Sequence, residues 1–457
     1  QAISAQASQP FRVRHSGRVL RWRRMADMEP ATKKQKTEEE TAEEPKAQEP
    51  AKEEEAAKEE PPAPPVKEEP KELEEDAPAD KGARVKEAAG FHTADTTLNV
   101  LKSDVGNVLM TLTEGGMQHL LAGARASVGL KGGRYMFEVK VVEQLVTMES
   151  QTGPSRGSKQ LIKVGFSAAG SSTLMGEDAS VCFDSNGSFT ANRMQTMNAC
   201  QRFGRESTVA VLLNLDEKSA NFNTVSLFLE GVRVSKPMAL PEALKGKTLF
   251  PTVSYKCATV HVNLGPTPLK PLPFSCRMVQ DASAKDAVVT KDSAPADGVY
   301  EVVLPTGLPD EGSFDWLDAF LAKSPQYTEL SDRMVLDWCE KSGLYKKQAF
   351  TARSSNDKPE FNFGIRELDD GSVRRALQSV AGAQSRNYVV MELKDNLIKE
   401  MRTERLSRFA GFRKVAQVVV GEPTAEFKKK SAELTLKQKQ EASDVAFKLK
   451  KAEEKRK

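Results

Sequence analysis

Short segments with apolar side chains at alternate positions fill the middle of the chain, residues 91–274. They carry β-branched or aromatic residues at period two or in brief apolar runs, and they read TLNVLKSD, NVLMTLT, RYMFEVKVVE, LIKVGFSA, TVAVLLNLD, TVSLFLEGV and ATVHVNLG. Such segments are typical of half-buried β-strands. Between them, Asn186-Gly187 and Glu230-Gly231 are turn signals, and we expect both glycines to take a positive φ. The pattern predicts an all-β sandwich.

The hydrophobic pattern changes after residue 298. Unbroken apolar runs, typical of parallel strands buried on both faces, occur at Tyr300–Leu304, Tyr388–Met391 and Gln417–Val420. Apolar stripes at helical spacing lie between them, at Asp315–Leu321, Met334–Cys339 and Ser372–Val380. We interpret these stripes as core faces, not as ligand sites. This alternation predicts an α/β domain with a parallel sheet.

The N-terminal region has a composition that does not favour folding. Residues 37–80 are built from Glu, Lys, Ala and Pro, with one leucine and no aromatic residue. Such a segment cannot offset its ordering entropy and is predicted to be disordered. A helical polyelectrolyte is the alternative, but the interspersed prolines would break each Glu/Ala run.

The formal net charge is only +3, but the charges are unevenly distributed: residues 37–80 are acidic and the last residues are basic. A basic tail favours nucleic acid or acidic partners, and an exposed helix with Lys/Glu faces is the alternative. The predicted organisation is a disordered region at 1–88, a sandwich at 89–276, a linker at 277–298, an α/β domain at 299–425 and a basic helical tail at 426–457.

The N-terminal residues contain two patterns that resemble targeting signals. Residues 1–24 are rich in Arg and free of acidic residues, and we favour translated upstream sequence before Met25 over a mitochondrial transit peptide. Lys33, Lys34 and Lys36 match a short nuclear localisation signal.

The cysteines do not indicate a metal site. All five are widely spaced, and none occurs in a C-x-x-C or Cys/His ligand pattern, so we expect reduced, structural thiols and no bound metal. No apolar run approaches the roughly 20 residues that a membrane span requires, so no membrane partner is expected.

The stretch EVVLPTGLPDEGSFDW combines a strand pattern with a phosphate-loop spacing. Gly307 and Gly312 keep the spacing of G-x-x-x-x-G-K-[ST], but Ser313 stands at the lysine position and Phe314 at the hydroxyl position. Two carboxylates between the glycines would repel a polyphosphate. The domain is therefore predicted neither to hydrolyse ATP nor to bind it tightly.

Longer phrases of the middle segment resemble a known domain. LAGARASVGLKGGRYMFEVKV, KVGFS, LMGED, SLFLEGV and LFPTVSYKCATVHVNLG are similar to the SPRY (B30.2) domain, most of all that of the heterogeneous nuclear ribonucleoprotein U-like family. The resemblance implies a bent β-sandwich whose end loops bind protein peptides, without catalysis. An RNA-binding RRM strand at KGGRYMFEV is the alternative, but Gly133 occupies a position where an RRM has an aromatic residue.

The C-terminal segment resembles the same family. In that family the SPRY domain is followed by a P-loop domain of the polynucleotide-kinase type. The strands, loop and crossover helix of that domain are similar to EVVLPTGLPDEGSFDWLDAF, RNYVVMELKDN and RLSRFAGFRKVAQVVV in this chain. The family's Asp-Gln-Thr-Asn stretch reads Met391-Glu392-Leu393-Lys394 here. The resemblance therefore implies a degenerate kinase-like domain with no cofactor and no enzymatic activity.

A basic cluster on or after the crossover helix is a candidate RNA-backbone contact. It comprises Arg402, Arg405, Arg408, Arg413 and Lys414, and a solvated helix face is the alternative. The resemblance implies a nuclear, RNA-associated scaffold with peptide and ribonucleoprotein partners. The family's SAP helix pair and Arg-Gly-Gly repeats do not occur in these residues, so a protein adaptor without RNA contact is the alternative. An active nucleotide or polynucleotide kinase is the third hypothesis, which the loop disfavours.

Overall fold

The computed structural model describes residues 72–77, 82–104, 106–145, 160–177, 179–292, 294–295, 298–306, 313–344, 363, 365, 368–391, 399–415 and 425–456. All of these lie in one compact unit, Glu69–Lys457. Several predictions concern residues outside the described ones: the upstream segment, the acidic region before residue 72, the localisation signal Lys33, Lys34 and Lys36, the loop glycines Gly307 and Gly312, and the strand Gln417–Val420.

Among the described residues, two nine-stranded sheets form a sandwich, as predicted. The strands, numbered in chain order, are β1 Phe91–Thr96, β2 Val100–Lys102, β3 Val108–Thr111, β4 Ala122–Ala126, β5 Val128–Leu130, β6 Gly133–Gln144, β7 Leu161–Ala168, β8 Ser180–Asp184, β9 Phe189–Ala191, β10 Met194–Thr196, β11 Thr208–Leu215, β12 Thr224–Leu229, β13 Val232–Arg233, β14 Met238–Ala239, β15 Leu249–Lys256, β16 Ala258–Asn263, β17 Arg277–Met278 and β18 Ala287–Val289. One sheet has the order β1-β4-β15-β7-β8-β9-β10 with β5 and β18 beside it, and the other has the order β13-β12-β11-β6-β16-β3-β2 with β14 and β17 beside it.

The core lies between the two sheets. On β6, Tyr135, Phe137 and Val139 are fully buried, as their period-two spacing predicted. The Phe137 ring meets the Phe166 ring of the opposite sheet edge-to-face, with centroids 5.4 Å apart. Because these β6 aromatics are buried, the strand has no exposed stacking platform of the kind that an RRM requires.

Two turns of the sandwich confirm the expected glycine conformations. Gly187 has φ 90° and Gly231 has φ 87°, a region that L side chains rarely adopt. In each case glycine allows the chain to reverse between paired strands.

The segment predicted as a linker, 277–298, contributes to both sheets. β17 runs parallel to β6, with Arg277 opposite Tyr135, and β18 pairs antiparallel with β5. Met278 is 1% exposed and packs with Met136 and Phe274. The polar composition of the segment concealed these contributions because each strand is only two or three residues long.

The C-terminal domain contains a parallel sheet in its described part, as predicted. Its strands are β19 Glu301–Val303, β20 Tyr327–Ser331, β21 Asn387–Met391 and β22 Arg413–Val415, in the order β20-β21-β19-β22. Its helices are α1 Ser313–Lys323, α2 Asp332–Lys341, α3 Asp370–Ala383, α4 Lys399–Arg408 and α5 Ala425–Arg456. Short 3₁₀ turns in the sandwich cover Met117–His119 and Val279–Asp281.

The parallel sheet is covered on both faces. Along β21, Tyr388 and Val390 pack with residues of α2 and α3, while Val389 and Met391 pack with residues of α1. This alternation explains the unbroken apolar run from which the strand was predicted. β20 was not predicted, because its sequence YTELS carries no such run.

The tail helix α5 is rich in Lys and Glu, and its described side chains are exposed. None of the described helices combines the length and apolar character needed to cross a membrane.

Candidate functional site

The end of β19 leads towards the predicted phosphate loop. Thr306, the last described residue before that loop, is 4% exposed, and its hydroxyl oxygen has no hydrogen-bond partner among the described residues. Gly307 and Gly312 lie outside those residues, and Ser313 is described only as the first residue of α1. The phosphate-loop assignment therefore remains a prediction.

Phe314, which the predicted loop would place at the hydroxyl position, is a core residue. Its side chain is 9% exposed and packs in a cluster with Val303, Leu317 and Val389. The guanidinium of Arg333 lies over its ring, 4.9 Å from the centroid. A side chain anchored in this way cannot turn towards a ligand without opening the core.

The charges near this helix end disfavour a polyphosphate. Asp315 lies in the first turn of α1, where the helix dipole would otherwise attract an anion. Arg333 is a nearby cation, but it is paired with Asp318 and Glu329, each at 2.9 Å. Its charge is therefore already compensated.

The basic cluster does not form one surface. Arg405 is 5% exposed, whereas Arg408 is exposed and donates to Glu404 Oε1 at 2.9 Å and to the amide oxygen of Gln378. Arg402 is half-buried. Arg413 and Lys414 lie in β22, opposite Glu301 and Val302 of β19, and their side chains are not among those described.

A polar cavity of about 600 Å³ lies at one end of the sandwich. The loops that enter β6, β12 and β15 contribute to it, and its lining contains the acidic residues Asp216, Glu217 and Asp286 and a larger set of cationic residues. These cations are Lys131, Arg134, Lys218, Lys247, Arg277 and Lys285.

The α/β domain covers the other end of the sandwich. The indole N–H of Trp338 donates to the carbonyl of Leu121 at 2.8 Å, and the Leu121 N–H donates to Ser342 Oγ at 2.9 Å. Around these bonds, Leu120 and Leu174 of the sandwich belong to the same buried cluster as Trp338. Trp338 was predicted to be a core residue, but the sequence did not indicate that its partner is the other domain.

Buried cations support the same contact. Arg386 donates to the Thr96 carbonyl at 2.7 Å and to the Thr96 hydroxyl at 2.9 Å, and Lys256 Nζ donates to the Ser342 carbonyl at 3.2 Å. Burial lowers the pKa of Arg386 and that of Lys256, because desolvation disfavours the charged form. Carbonyl oxygens replace the water that these groups would have in an open domain.

The described cysteines are all free thiols. Burial raises the pKa of Cys182 to about 11 and that of Cys339 to about 12, which disfavours the reactive thiolate. The described residues include no group of His, Cys, Asp or Glu placed to hold a metal ion.

Comparison with known proteins gives relatives for much of the chain. No family model matches it. Heterogeneous nuclear ribonucleoprotein U-like protein 2 of Mus musculus is 27% identical over 316 residues, and the Homo sapiens protein of that name is 26% identical over 328 residues. This chain is similar to heterogeneous nuclear ribonucleoprotein U-like protein 2. The resemblance predicted from the sequence is thereby confirmed.

These alignments cover 66% and 69% of this chain but only 39% and 40% of the two relatives. The chain therefore spans about two fifths of the length of the curated relatives it matches. Similar solved structures are the SPRY domain of human HERC1, at 15% identity, and another human SPRY domain, at 18%. Each has a TM-score of 0.28 and covers 38% of this chain, with 97% and 99% of the solved chains covered.

Proposed function

We propose that the chain is a nuclear, RNA-associated scaffold of the ribonucleoprotein U type that binds protein peptides through the sandwich and does not hydrolyse ATP. The similarity to heterogeneous nuclear ribonucleoprotein U-like protein 2 carries this proposal. Its alignment spans 316 residues, more than the sandwich strands from Phe91 to Val289 contain, and so it includes other parts of the chain. In this proposal Lys33, Lys34 and Lys36 supply the nuclear import signal.

A protein adaptor without RNA contact is the second candidate. The burial of Arg405 favours it, because that side chain is withdrawn from a surface on which it was expected to meet phosphates. Ultraviolet crosslinking in cells, followed by denaturing purification of the protein and labelling of its bound RNA, separates the two candidates. Crosslinked RNA above the level of an untagged control supports the scaffold, and its absence supports the adaptor.

We expect no nucleotide binding by the purified full chain. Titration calorimetry with Mg·ATP up to about 1 mM should give no saturable heat. Each missing charge-assisted contact at Ser313 and Phe314 costs about 1.5 to 3 kcal/mol, or roughly tenfold or more in affinity. The full chain is used because the α/β domain has buried contacts with the sandwich.

The matched variant for this titration is Ser313→Lys, which restores the lysine without disturbing the core position Phe314. We expect at most a weak gain from it. Saturable, Mg-dependent binding of ATP by the unaltered chain in the micromolar range would contradict the prediction.

The RNA contact is assigned in this proposal to the accessible part of the basic cluster. Replacing Arg402 and Arg408 with glutamine should weaken RNA binding and reduce the slope of log K against log salt by about 1.4, since each phosphate contact on a single strand contributes about 0.7. Filter binding of a labelled RNA at several salt concentrations measures both quantities. Arg205→Gln, on an exposed sandwich arginine, is the control with the same charge change. An unchanged slope in the double variant would remove these residues from the interface.

A further inference from the structure

A short acidic segment of the chain lies against the sandwich outside both sheets. Residues 72–77 read ELEEDA, and they include no strand or helix. Backbone bonds fix the end of this segment: the N–H of Ala77 donates to the Ser275 carbonyl at 2.8 Å, and the Ser275 N–H donates to Asp76 Oδ1 at 2.6 Å. The latter bond lowers the pKa of Asp76. The segment is thus fixed to the sandwich without belonging to either sheet.

Two arginines and two asparagines hold the glutamates of this segment. These four residues, Arg134, Asn214, Asn221 and Arg233, are called the Arg–Asn groove below. Glu74 accepts from Arg134 Nη1 at 2.9 Å, from Asn214 Nδ2 at 3.0 Å and from Asn221 Nδ2 at 3.0 Å. Arg233 Nε donates to Glu72 Oε1 at 2.7 Å, and Asn221 also donates to the Leu73 carbonyl at 2.7 Å.

The segment is recognised by its charges, not by apolar burial. The Glu74 side chain is 0% exposed and that of Arg134 is 4% exposed, whereas Leu73 between the two glutamates remains 51% exposed. Charge-assisted hydrogen bonds of this kind are the strong ones, and their geometry selects carboxylates. The groove therefore holds two glutamates in a Glu-x-Glu arrangement.

Both arginines of the groove also contact aromatic rings of the sandwich. The Arg233 guanidinium lies over the Phe228 ring, 4.7 Å from its centroid, and Arg134 lies 5.8 Å from the Phe274 centroid. Stacking of this kind orients an arginine before its carboxylate arrives. Pre-orientation lowers the entropic cost of binding a ligand. Arg134 also keeps a buried Nε without a hydrogen-bond partner among the described residues.

We propose that the Arg–Asn groove is a binding site for acidic protein segments of the Glu-x-Glu type, which Glu72–Ala77 of the same chain occupies until a partner's segment displaces it. This inference rests on the proposed function of the sandwich as a peptide-binding module and names the chemistry of its ligand. The cavity described above adjoins the groove, since both Ala77 and Arg134 line it. A longer acidic ligand would continue from the groove towards Lys131 and Lys247.

The tether makes the chain's own segment a strong competitor. Only residues 78–81 separate it from the next described residue, Gly82. A short tether gives an effective concentration in the millimolar range. A free peptide with an intrinsic dissociation constant of about 10 to 50 μM would therefore appear roughly 20- to 100-fold weaker against the intact chain. The site is thus measurable only when the segment is released.

The test uses the full chain and a fluorescent peptide, KELEEDAP, which copies residues 71–78. Fluorescence anisotropy should show no saturation with the unaltered chain up to about 100 μM protein. The Glu72→Ala/Glu74→Ala variant should bind the peptide saturably at tens of micromolar, so that its apparent affinity is at least tenfold higher. Glu75→Ala is the matched control, because Glu75 is exposed and directly follows Glu74 in the same acidic segment. It should behave like the unaltered chain.

Three results would overturn the inference. In the first, the natively folded double variant does not bind the peptide. In the second, the double variant and the unaltered chain bind the peptide equally well. In the third, polyuridylate displaces the peptide as effectively as unlabelled peptide does. If the alanine variant is poorly folded, Glu72→Gln/Glu74→Gln replaces it, and added peptide should raise the Tm of either variant but not that of the unaltered chain. An unmoved Tm in both variants also counts against the site.

A failure here is distinguishable from a failure of the proposed function. If the double variant keeps its RNA crosslinks and its co-purifying proteins but does not bind the peptide, the scaffold stands and the groove is a structural clamp.

Discussion

Replacing Trp338 with alanine is expected to lower the free energy of unfolding of the full chain by about 3 to 5 kcal/mol. The side chain is 5% exposed in the cluster shared by α2 and the sandwich, and its N–H satisfies the Leu121 carbonyl. Alanine would leave a cavity and an unpaired buried carbonyl. Urea unfolding followed by circular dichroism gives the loss, with the slope of the transition as a check on cooperativity.

Two further variants separate the causes of that loss. Trp338→Phe removes the hydrogen bond and a smaller part of the apolar volume than alanine does, so its loss of unfolding free energy should be markedly smaller. Trp316→Ala removes an indole of α1 that is partly buried and stacked on Phe320, away from the sandwich. Equal losses in Trp338→Ala and Trp316→Ala would contradict a special role for the domain contact.

The second large effect is expected from Gly165→Ala in β7. A Cβ at this position would lie 2.0 Å from the Val181 carbonyl oxygen and 2.7 Å from the Cys182 Cα, both backbone atoms of the neighbouring strand β8. Overpacking commonly lowers the free energy of unfolding by about 1 to 3 kcal/mol. Because the paired strands β7 and β8 would have to separate here, we expect a loss of about 3 kcal/mol or more. Thermal unfolding should show a lower Tm.

Gly411→Ala is the control for this substitution, because nothing lies within 4 Å of a Cβ at that position and its φ is not in the left-handed region. We expect its Tm to match that of the unaltered chain. A fully stable Gly165→Ala variant would indicate that β7 and β8 do not pair in this register.

Periodicity in the sequence predicted the elements but not the contacts between them. Two strands were predicted because their buried residues form a regular apolar pattern in the sequence. The pattern is alternating around Tyr135 and Phe137 and unbroken over Tyr388–Met391. Strands such as Ala287–Val289 and Tyr327–Ser331 were missed, since their pairing partners, not their own composition, hold them in the sheets.

The candidate sites were less predictable. Phe314 was recognised as unsuited to phosphate, but its core contacts depend on distant strands. Glu74 was assigned to a disordered region because its neighbours in sequence are Glu, Lys and Pro. Its partners, Arg134 and Asn214, lie 60 and 140 positions away. Single charged residues carry no periodic signal, so pairings over such separations cannot be read from one sequence.

Strand β15 connects the two ends of the sandwich. It begins at Leu249, next to the lysine-lined cavity, and ends at Lys256, which donates to the α/β domain. An eight-residue strand extends about 25 Å. The proposed peptide site near the cavity is thus separated from the sandwich's contact with the α/β domain by the full length of one continuous strand, so that a change at either end must be transmitted along β15 to reach the other.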